Sequence, residues 1–280
     1  MLPEKQPVMP QLQAYVCTDI GKRRQQNEDR YMLDLSHALF IVADGMGGQQ
    51  AGEVAAEAIT TVLPPMLIQR ASSKQNETLH RNAEIVRETL LDLSQRLWNE
   101  GRERSMLQGM GSTIVLMWVF GQQALLAHMG DSRIYLLRQG QLSSLTQDHS
   151  VLATLLRNNA ITPEDARSHP ARGKLSRYMG MEDKVGPEVQ RLQIYNGDRL
   201  LLCTDGLTNM VSDEKIERLL IDNPKPETAC TQLVQCANDA GGTDNITVMV
   251  IDYAMPPTIG PVEKKTNKFH KNALTPMLST

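Results

Sequence analysis

Residues 113–140, TIVLMWVFGQQALLAHMGDSRIYLLRQG, hold three apolar β-type runs in quick succession: Thr113 to Phe120, Ala124 to Met129 and Ile134 to Arg138. Short turn signals punctuate them, Gly130-Asp131-Ser132 and Gln139-Gly140 among them. Connections this tight join antiparallel neighbours, because a parallel crossover needs about a dozen residues or more. Similar runs recur on both sides: Ala14 to Cys17, Leu39 to Ala43, Glu188 to Ile194, Leu200 to Thr204 and Ile246 to Tyr253, with Asn196-Gly197 as another turn. Helical patterns stand apart from them. One starts near Gly52 and is expected to stop at Pro64-Pro65. A second, roughly residues 77–104, sets Leu79, Ala83, Val86, Leu90, Leu93 and Leu97 in steps of four and three, a stripe suited to packing on a sheet. Thr162-Pro163-Glu164-Asp165 reads as a helix start, with Thr as cap and Pro at the first helical position. Strands and helices are grouped and do not alternate, which predicts an α+β fold with helices packed on antiparallel sheets.

The chain of 280 residues is long enough for a sizeable core, and 41% apolar with 22% charged residues excludes a disordered, collagenous or coiled-coil chain. A net charge of -3 provides no field to recruit nucleic acid or anionic membrane. The longest unbroken apolar run, Ile114 to Phe120, is far short of the roughly 20 residues that span a bilayer. The first residues lack the basic-then-apolar order of a secretory signal, and Cys17, Cys203, Cys230 and Cys236 form no CxxC or metal-ligand spacing. Reduced structural cysteines in a cytoplasmic protein are the expectation. Residues 1–11 read as an N-terminal extension and 12–254 as the folded domain. Residues 255–280 read as a flexible basic tail, with Pro256, Pro257, Pro261 and Pro276, and Lys264, Lys265, Lys268 and Lys271 against Glu263. No orphan apolar segment is evident, so a monomer is expected.

The chemistry is indicated by where aspartates fall. The run Leu39 to Ala43 ends in Asp44-Gly45, Leu200 to Thr204 ends in Asp205-Gly206, and Ala124 to Met129 leads to Gly130-Asp131. Asp244, in Gly241-Gly242-Thr243-Asp244-Asn245, stands just before Ile246 to Tyr253. Any single Asp-Gly is most simply a turn dipeptide. Four acidic groups at strand ends favour a different reading, because converged carboxylates repel unless something neutralises them. Hard divalent cations with oxygen ligands do this, and two of them can clamp a phosphoryl displacement. Upstream, Thr18 to Asp29 carries Arg24, whose planar guanidinium could grip a phosphate through two hydrogen bonds, although a solvated polar loop is the simpler reading of that stretch. Asp44-Gly45-Met46-Gly47-Gly48 could alternatively cradle a phosphate, yet it lacks the Walker Lys-Ser/Thr and the G-x-G-x-x-G spacing.

Six stretches in order carry a resemblance: TDIGKRRQQNED (18–29), VADGMGG (42–48), GST (111–113), HMGDSR (128–133), CTDGL (203–207) and GGTDN (241–245). Together they resemble the metal-dependent type-2C serine/threonine protein phosphatases, the PPM family, in compact bacterial form, from about residue 12 to 254. The resemblance implies a four-layer α-β-β-α sandwich. It implies Asp44 as the carboxylate bridging two Mn²⁺ or Mg²⁺ ions, Gly45 as a backbone-carbonyl ligand, and Asp205 and Asp244 as ligands of the second ion. Glu28 and Asp29 match residues that hold metal-bound waters, Arg24 the phosphate-binding arginine, and Asp131 a ligand of a third, weaker ion. The implied reaction is hydrolysis of phosphoserine and phosphothreonine on proteins, opposing serine/threonine kinases. Attack is in line, by a hydroxide bridging the metals, without a phosphoenzyme. Met46 stands where many eukaryotic members carry a presumed general-acid histidine, which leaves the acid unassigned. Two other readings remain: a non-catalytic phosphoprotein-binding module and an acidic Ca²⁺ scaffold. The first would be marked by loss of a core aspartate, and the second lacks the EF-hand order of ligands. Finally, residues 148–186 are expected to form a mobile flap whose Arg172, Lys174 and Arg177, in a stretch without acidic residues from Ala166 to Tyr178, select protein substrates.

Overall fold

The computed structural model describes residues 11–47, 51–72, 78–183 and 185–255. The N-terminal extension, apart from Gln11, and the basic tail, apart from Met255, lie outside the described residues. One sheet has six strands: β2 (Asp29–Asp34), β3 (Leu39–Met46), β5 (Ile114–Phe120), β6 (Gln123–Met129) and β9 (Glu188–Gln193) in that order, with the short β4 (Gly111–Ser112) paired to β3. The other, five-stranded sheet runs β1 (Gln11–Asp19), β11 (Ile246–Ala254), β10 (Arg199–Cys203), β7 (Arg133–Arg138) and β8 (Gln141–Ser144). All pairings are antiparallel. Helices α1 (Ala51–Ser72) and α2 (Leu79–Glu103) cover the first sheet, and α6 (Asp213–Asp222) and α7 (Pro226–Asp239) cover the second. The expected four-layer α-β-β-α sandwich is what forms.

The inner strands such as β3, β5 and β10 are buried almost throughout because both faces of each sheet are covered there, whereas β1, β2, β8 and β9 are partly exposed. On β3, Leu39, Ile41 and Ala43 face the α1–α2 layer, while Phe40 and Val42 face the other sheet. The same period of two divides β5, whose Ile114, Leu116 and Trp118 meet the helices and whose Val115, Met117 and Val119 meet Leu200, Leu202, Met249 and Ile251 across the sandwich. Each such side chain, fully buried, contributes about 1.5–3 kcal/mol.

The helix stripe predicted for residues 77–104 is buried from Ala83 through Leu97, with Thr78 capping through a hydrogen bond accepted from the Arg81 amide. The helix start at Thr162 is also observed: α4 (Pro163–Ser168) opens with a reciprocal Thr162–Asp165 capping box. Two expectations fail. The turns Gly130-Asp131-Ser132 and Asn196-Gly197 close no hairpin: they carry the chain from one sheet to the other, β6 to β7 and β9 to β10, whereas Gln139-Gly140 does join the antiparallel pair β7 and β8. α1 does not stop at Pro64-Pro65 but carries both prolines inside it. An interior proline costs about 3 kcal/mol, and burial of Leu63 before them, with Leu67 and Ala71 beyond, offsets that cost. By length and composition α1 is apolar enough to cross a membrane, but half of its apolar window is buried inside the domain, as befits a core helix. Between β8 and β9, where the flap is expected, the chain forms α3 (Val151–Arg157) and α4.

Candidate metal centre

The strand registers bring the aspartates to one end of the sandwich. Asp29 and Asp44 are direct partners across β2 and β3. β10 ends at Cys203, beside Val248 of β11, so Asp205 follows the end of β10 while Asp244 precedes the start of β11 at that same end. β6 ends at Met129, opposite Ile114 on β5, and its turn carries Asp131. Asp44 itself lies within β3 and not beyond its end, because β4 extends the pairing through Gly45 and Met46. Asp205 opens a short helix, α5 (Asp205–Thr208).

The site's electrostatics are those of crowded acids. Burial pushes the Asp44 carboxyl well above the usual carboxylate range, reinforced by the negative charges of Asp29, Asp205, Asp131 and Asp244. Burial, again with neighbouring aspartates, lifts Asp29 to about 7, Asp131 to about 7 and Asp205 to about 6. Glu28 is raised mainly by burial, partly opposed by Arg24. Asp29 Oδ2 accepts from Thr247 Oγ1 at 2.7 Å and Thr204 Oγ1 at 3.0 Å, while its Oδ1 is buried with no hydrogen-bond partner. Asp205 Oδ2 accepts from Asn209 Nδ2 at 2.9 Å, and its Oδ1 is likewise buried without a partner. Arg24 donates from Nη2 to Asp244 Oδ2 at 2.7 Å, and half its side chain remains exposed.

These residues fit a hard divalent cation. The donors are all oxygen, the carboxylates destabilise one another, and orphaned buried oxygens remain in the cluster. Asp44, Asp205, Asp244 and Asp131, with the Gly45 carbonyl, are the groups able to hold it; Asp29 lies directly across from Asp44, and Glu28 lies near Arg24 and Asp244. Glycine is required at 45 because a Cβ there would lie 2.2 Å from the Gly52 carbonyl oxygen, where α1 crosses the strand.

Several supporting residues were not singled out in the sequence. Asn245 is buried and works as a staple: its Oδ1 accepts from the Glu28 amide at 2.9 Å, and its Nδ2 donates to the carbonyls of Ile20 at 3.0 Å and Gln26 at 2.9 Å. It thereby holds the Arg24 loop against the start of β11. Thr113 exchanges two bonds with Asp44, its amide donating to the Asp44 carbonyl at 2.8 Å and its Oγ1 accepting from the Asp44 amide at 3.1 Å. Both lie inside the GGTDN and GST stretches, so their positions were visible and their jobs were not. Met46 pairs with Gly111 and offers no proton, so no general acid emerges at that position. Of the flap residues, Arg177 reaches Glu188 on β9, with Nη1 3.4 Å from Oε1. The backbone amides of Arg172 and Lys174 donate to the carbonyls of His169 at 3.0 Å and Ala171 at 3.1 Å.

Comparison with known proteins identifies relatives of this chain. The family model for protein phosphatase 2C matches residues 21–247. Protein phosphatase PhpP of Streptococcus pneumoniae strain D39 is 34% identical over 243 residues, covering 86% of this chain and 97% of PhpP. The solved S. agalactiae serine/threonine phosphatase superposes with a TM-score of 0.80 at 32% identity, covering 86% of this chain and 99% of that one. The catalytic domain of PstP, solved in complex with two manganese ions, gives a TM-score of 0.72 at 32% identity, covering 87% and 98%. With fold, carboxylate cluster and relatives in agreement, the chain belongs to the protein phosphatase 2C family, the metal-dependent serine/threonine protein phosphatases, in its bacterial form.

Proposed function

We propose that this protein removes phosphate from phosphoserine and phosphothreonine of proteins phosphorylated by a serine/threonine kinase, using two Mn²⁺ or Mg²⁺ ions and a weaker third held by the carboxylate cluster. The observation that carries this reading is the cluster of buried and half-buried, mutually repelling aspartates beside a half-exposed arginine. When bound, the cations supply a water that is nucleophilic near neutral pH and neutralise charge on the phosphoryl oxygens. Asp44, central among the aspartates, would hold two of them together with Asp205, Asp244 and the Gly45 carbonyl. Asp131 serves the third. Arg24 grips the phosphoryl oxygens, held in reach by the Asn245 staple. Water attacks phosphorus in line and the P–O bond to the side chain breaks, giving inorganic phosphate and the free hydroxyl, with no phosphoenzyme.

The flap supplies the protein-selective contacts in this reading, through Arg172, Lys174 and Arg177. The four free cysteines, two of them buried, suit the reducing cytoplasm, and we take the working unit to be a monomer. Phosphate release from a phosphothreonine peptide, with Mn²⁺ and then with excess chelator, tests the reading. Release that stops in chelator supports it. Undiminished release in chelator overturns the metal mechanism, and binding of phosphoprotein or Ca²⁺ with no turnover in Mn²⁺ points instead to a binding module. Neutralising Arg172, Lys174 and Arg177 together should slow dephosphorylation of a phosphoprotein and spare para-nitrophenyl phosphate. Equal loss on both, or no loss on either, removes the flap from selection.

A further inference from the structure

His149 stands at the base of the flap, buried, between three elements. Its backbone amide donates to the Gly130 carbonyl at 2.9 Å, and the Gly130 amide donates back to its Nδ1 at 3.3 Å. Its carbonyl accepts from the amide of Ser176 at 2.8 Å, where the flap returns, and Ser150 bridges Leu175 beside it. Its Nε2 lies 3.1 Å from Glu188 Oε1 on β9. Its ring stacks on His128 of β6, with centroids 4.4 Å apart and planes 10° from parallel. Because Nδ1 accepts a hydrogen bond, the ring proton belongs on Nε2, facing Glu188. Burial keeps the ring neutral, holding it down to about 4.

His128, His149 and Glu188 also bring three ligand atoms within 4.8 Å of one another, which suggests a metal site. The geometry argues against one. A metal must lie in the plane of each imidazole that binds it, and two stacked, parallel rings offer no shared in-plane point. Metal on His149 Nε2 would also put a proton on Nδ1, facing the Gly130 amide donor.

The Gly130 turn is held just as closely from the other side. A Cβ at Gly130 would lie 2.5 Å from Thr113 Cγ2, and Thr113 Oγ1 is 2.6 Å from Ser132 Oγ. Thr113 in turn exchanges bonds with Asp44. Next to His149, Asp148 takes a two-bond fork from Arg133, with Nε and Nη2 each at 2.8 Å. Asp131 therefore sits in a turn clamped between the Asp44 strand layer and the flap's base.

We propose that His149 is a positioning residue: its backbone pairs with both the Gly130 turn and the flap's returning segment, and its imidazole, accepting from the Gly130 amide, holds the Gly130–Asp131 turn there and so fixes Asp131 where the weak third cation binds. The proposal rests on the reading of Asp131 as that cation's ligand. It makes flap order and third-site affinity two readings of one contact. A group that orients a ligand from behind commonly changes metal affinity by about ten- to a hundredfold when removed.

The test is a calorimetric Mn²⁺ titration of the full chain, with hydrogen exchange followed at the amides of residues 130–132, 149–151 and 175–177. His149→Leu should weaken the third site about tenfold or more, leave the two tight sites unchanged, and speed exchange in all three segments. His149→Asn places an amide oxygen where Nδ1 was and should restore most of both. If His149→Leu does not fold, His149→Gln, which lacks an acceptor at the δ position, takes its place. Wild-type third-site affinity and exchange in the acceptor-less variant would overturn the proposal, as would an Asn variant no better than Leu. Asp131→Asn separates the two ideas. If it leaves weak Mn²⁺ binding intact, the ligand reading of Asp131 fails. Exchange at 130–132 then still decides whether His149 holds the turn.

Discussion

Arg24 meets Asp244 at 2.7 Å, and that single contact shows how the site is balanced. The guanidinium acts on both Glu28 and Asp205, partly opposing the rise that burial gives each carboxyl. Its half-exposed head leaves donors free for a phosphoryl group. Removing it should cost substrate binding in ground and transition states alike, so Arg24→Ala is expected to raise KM about tenfold or more with a smaller change in kcat. Steady-state kinetics on a phosphothreonine peptide checks this, and a loss confined to kcat would mean contact only in the transition state. Arg24→Lys should rescue poorly, because a point charge lacks the planar fork. At this scale the sequence was informative about identities. Asp44, Asp205, Asp131 and Asp244 were legible because each adjoins an apolar strand run and, apart from Asp244, a flanking glycine. Asn245, Thr113 and His149 were not. Their work lies in hydrogen bonds to residues 217, 69 and 19 positions away, which no local pattern encodes.

Elements place those residues through close backbone approaches. Gly206, in α5, packs on the start of β11, where a Cβ would lie 1.9 Å from the Asn245 carbonyl oxygen. Since that neighbour is backbone, one of the two segments has to move. Gly206→Ala is expected to cost about 1–3 kcal/mol and to lower Mn²⁺ affinity, because Asp205 and Asp244 flank the contact. Gly186→Ala is the control: its Cβ would meet only Leu91 at 3.6 Å, and stability should hold within about 0.5 kcal/mol. Thermal unfolding with and without Mn²⁺ reads both. The elements that were legible are those buried on both faces or strongly striped, such as β3, β5 and α2. β2 escaped notice because Asp29-Arg30-Tyr31-Met32-Leu33-Asp34 is a half-exposed edge strand with a mixed pattern. α1 was cut short because local proline chemistry points one way and the buried Leu67 and Ala71 point the other. Tertiary packing won.

For the whole molecule, the raised carboxylates make stability depend on pH in an unusual sense. Asp29 near 7, Asp131 near 7 and Asp205 near 6 all lie above their unfolded values, which are near 3.8. Between those limits the metal-free native state binds more protons than the unfolded chain. Its stability therefore falls as pH rises from about 4 through 7. Metal-free protein is expected to melt about 5 °C or more higher at pH 5 than at pH 8. Mn²⁺ competes with those protons, so its stabilising effect should be larger at pH 8 than at pH 6. A melting temperature that rises from pH 5 to pH 8 without metal would contradict the assigned crowding. The layered architecture itself was legible from the grouping of strands and helices, since continuous apolar strands need cover on both faces; the turns were less informative, because Gly130-Asp131-Ser132 and Asn196-Gly197 pass between the sheets where a hairpin was expected.

In the proposed mechanism Asp44 would hold two cations at the end of the sandwich. Calorimetric titration of Mn²⁺ into chelator-stripped wild type and Asp44→Asn at pH 8 tests it most directly. The expected result is two tight sites in the wild type, and their loss or weakening by about a hundredfold in a variant that remains folded. Two tight sites retained in Asp44→Asn would contradict the account.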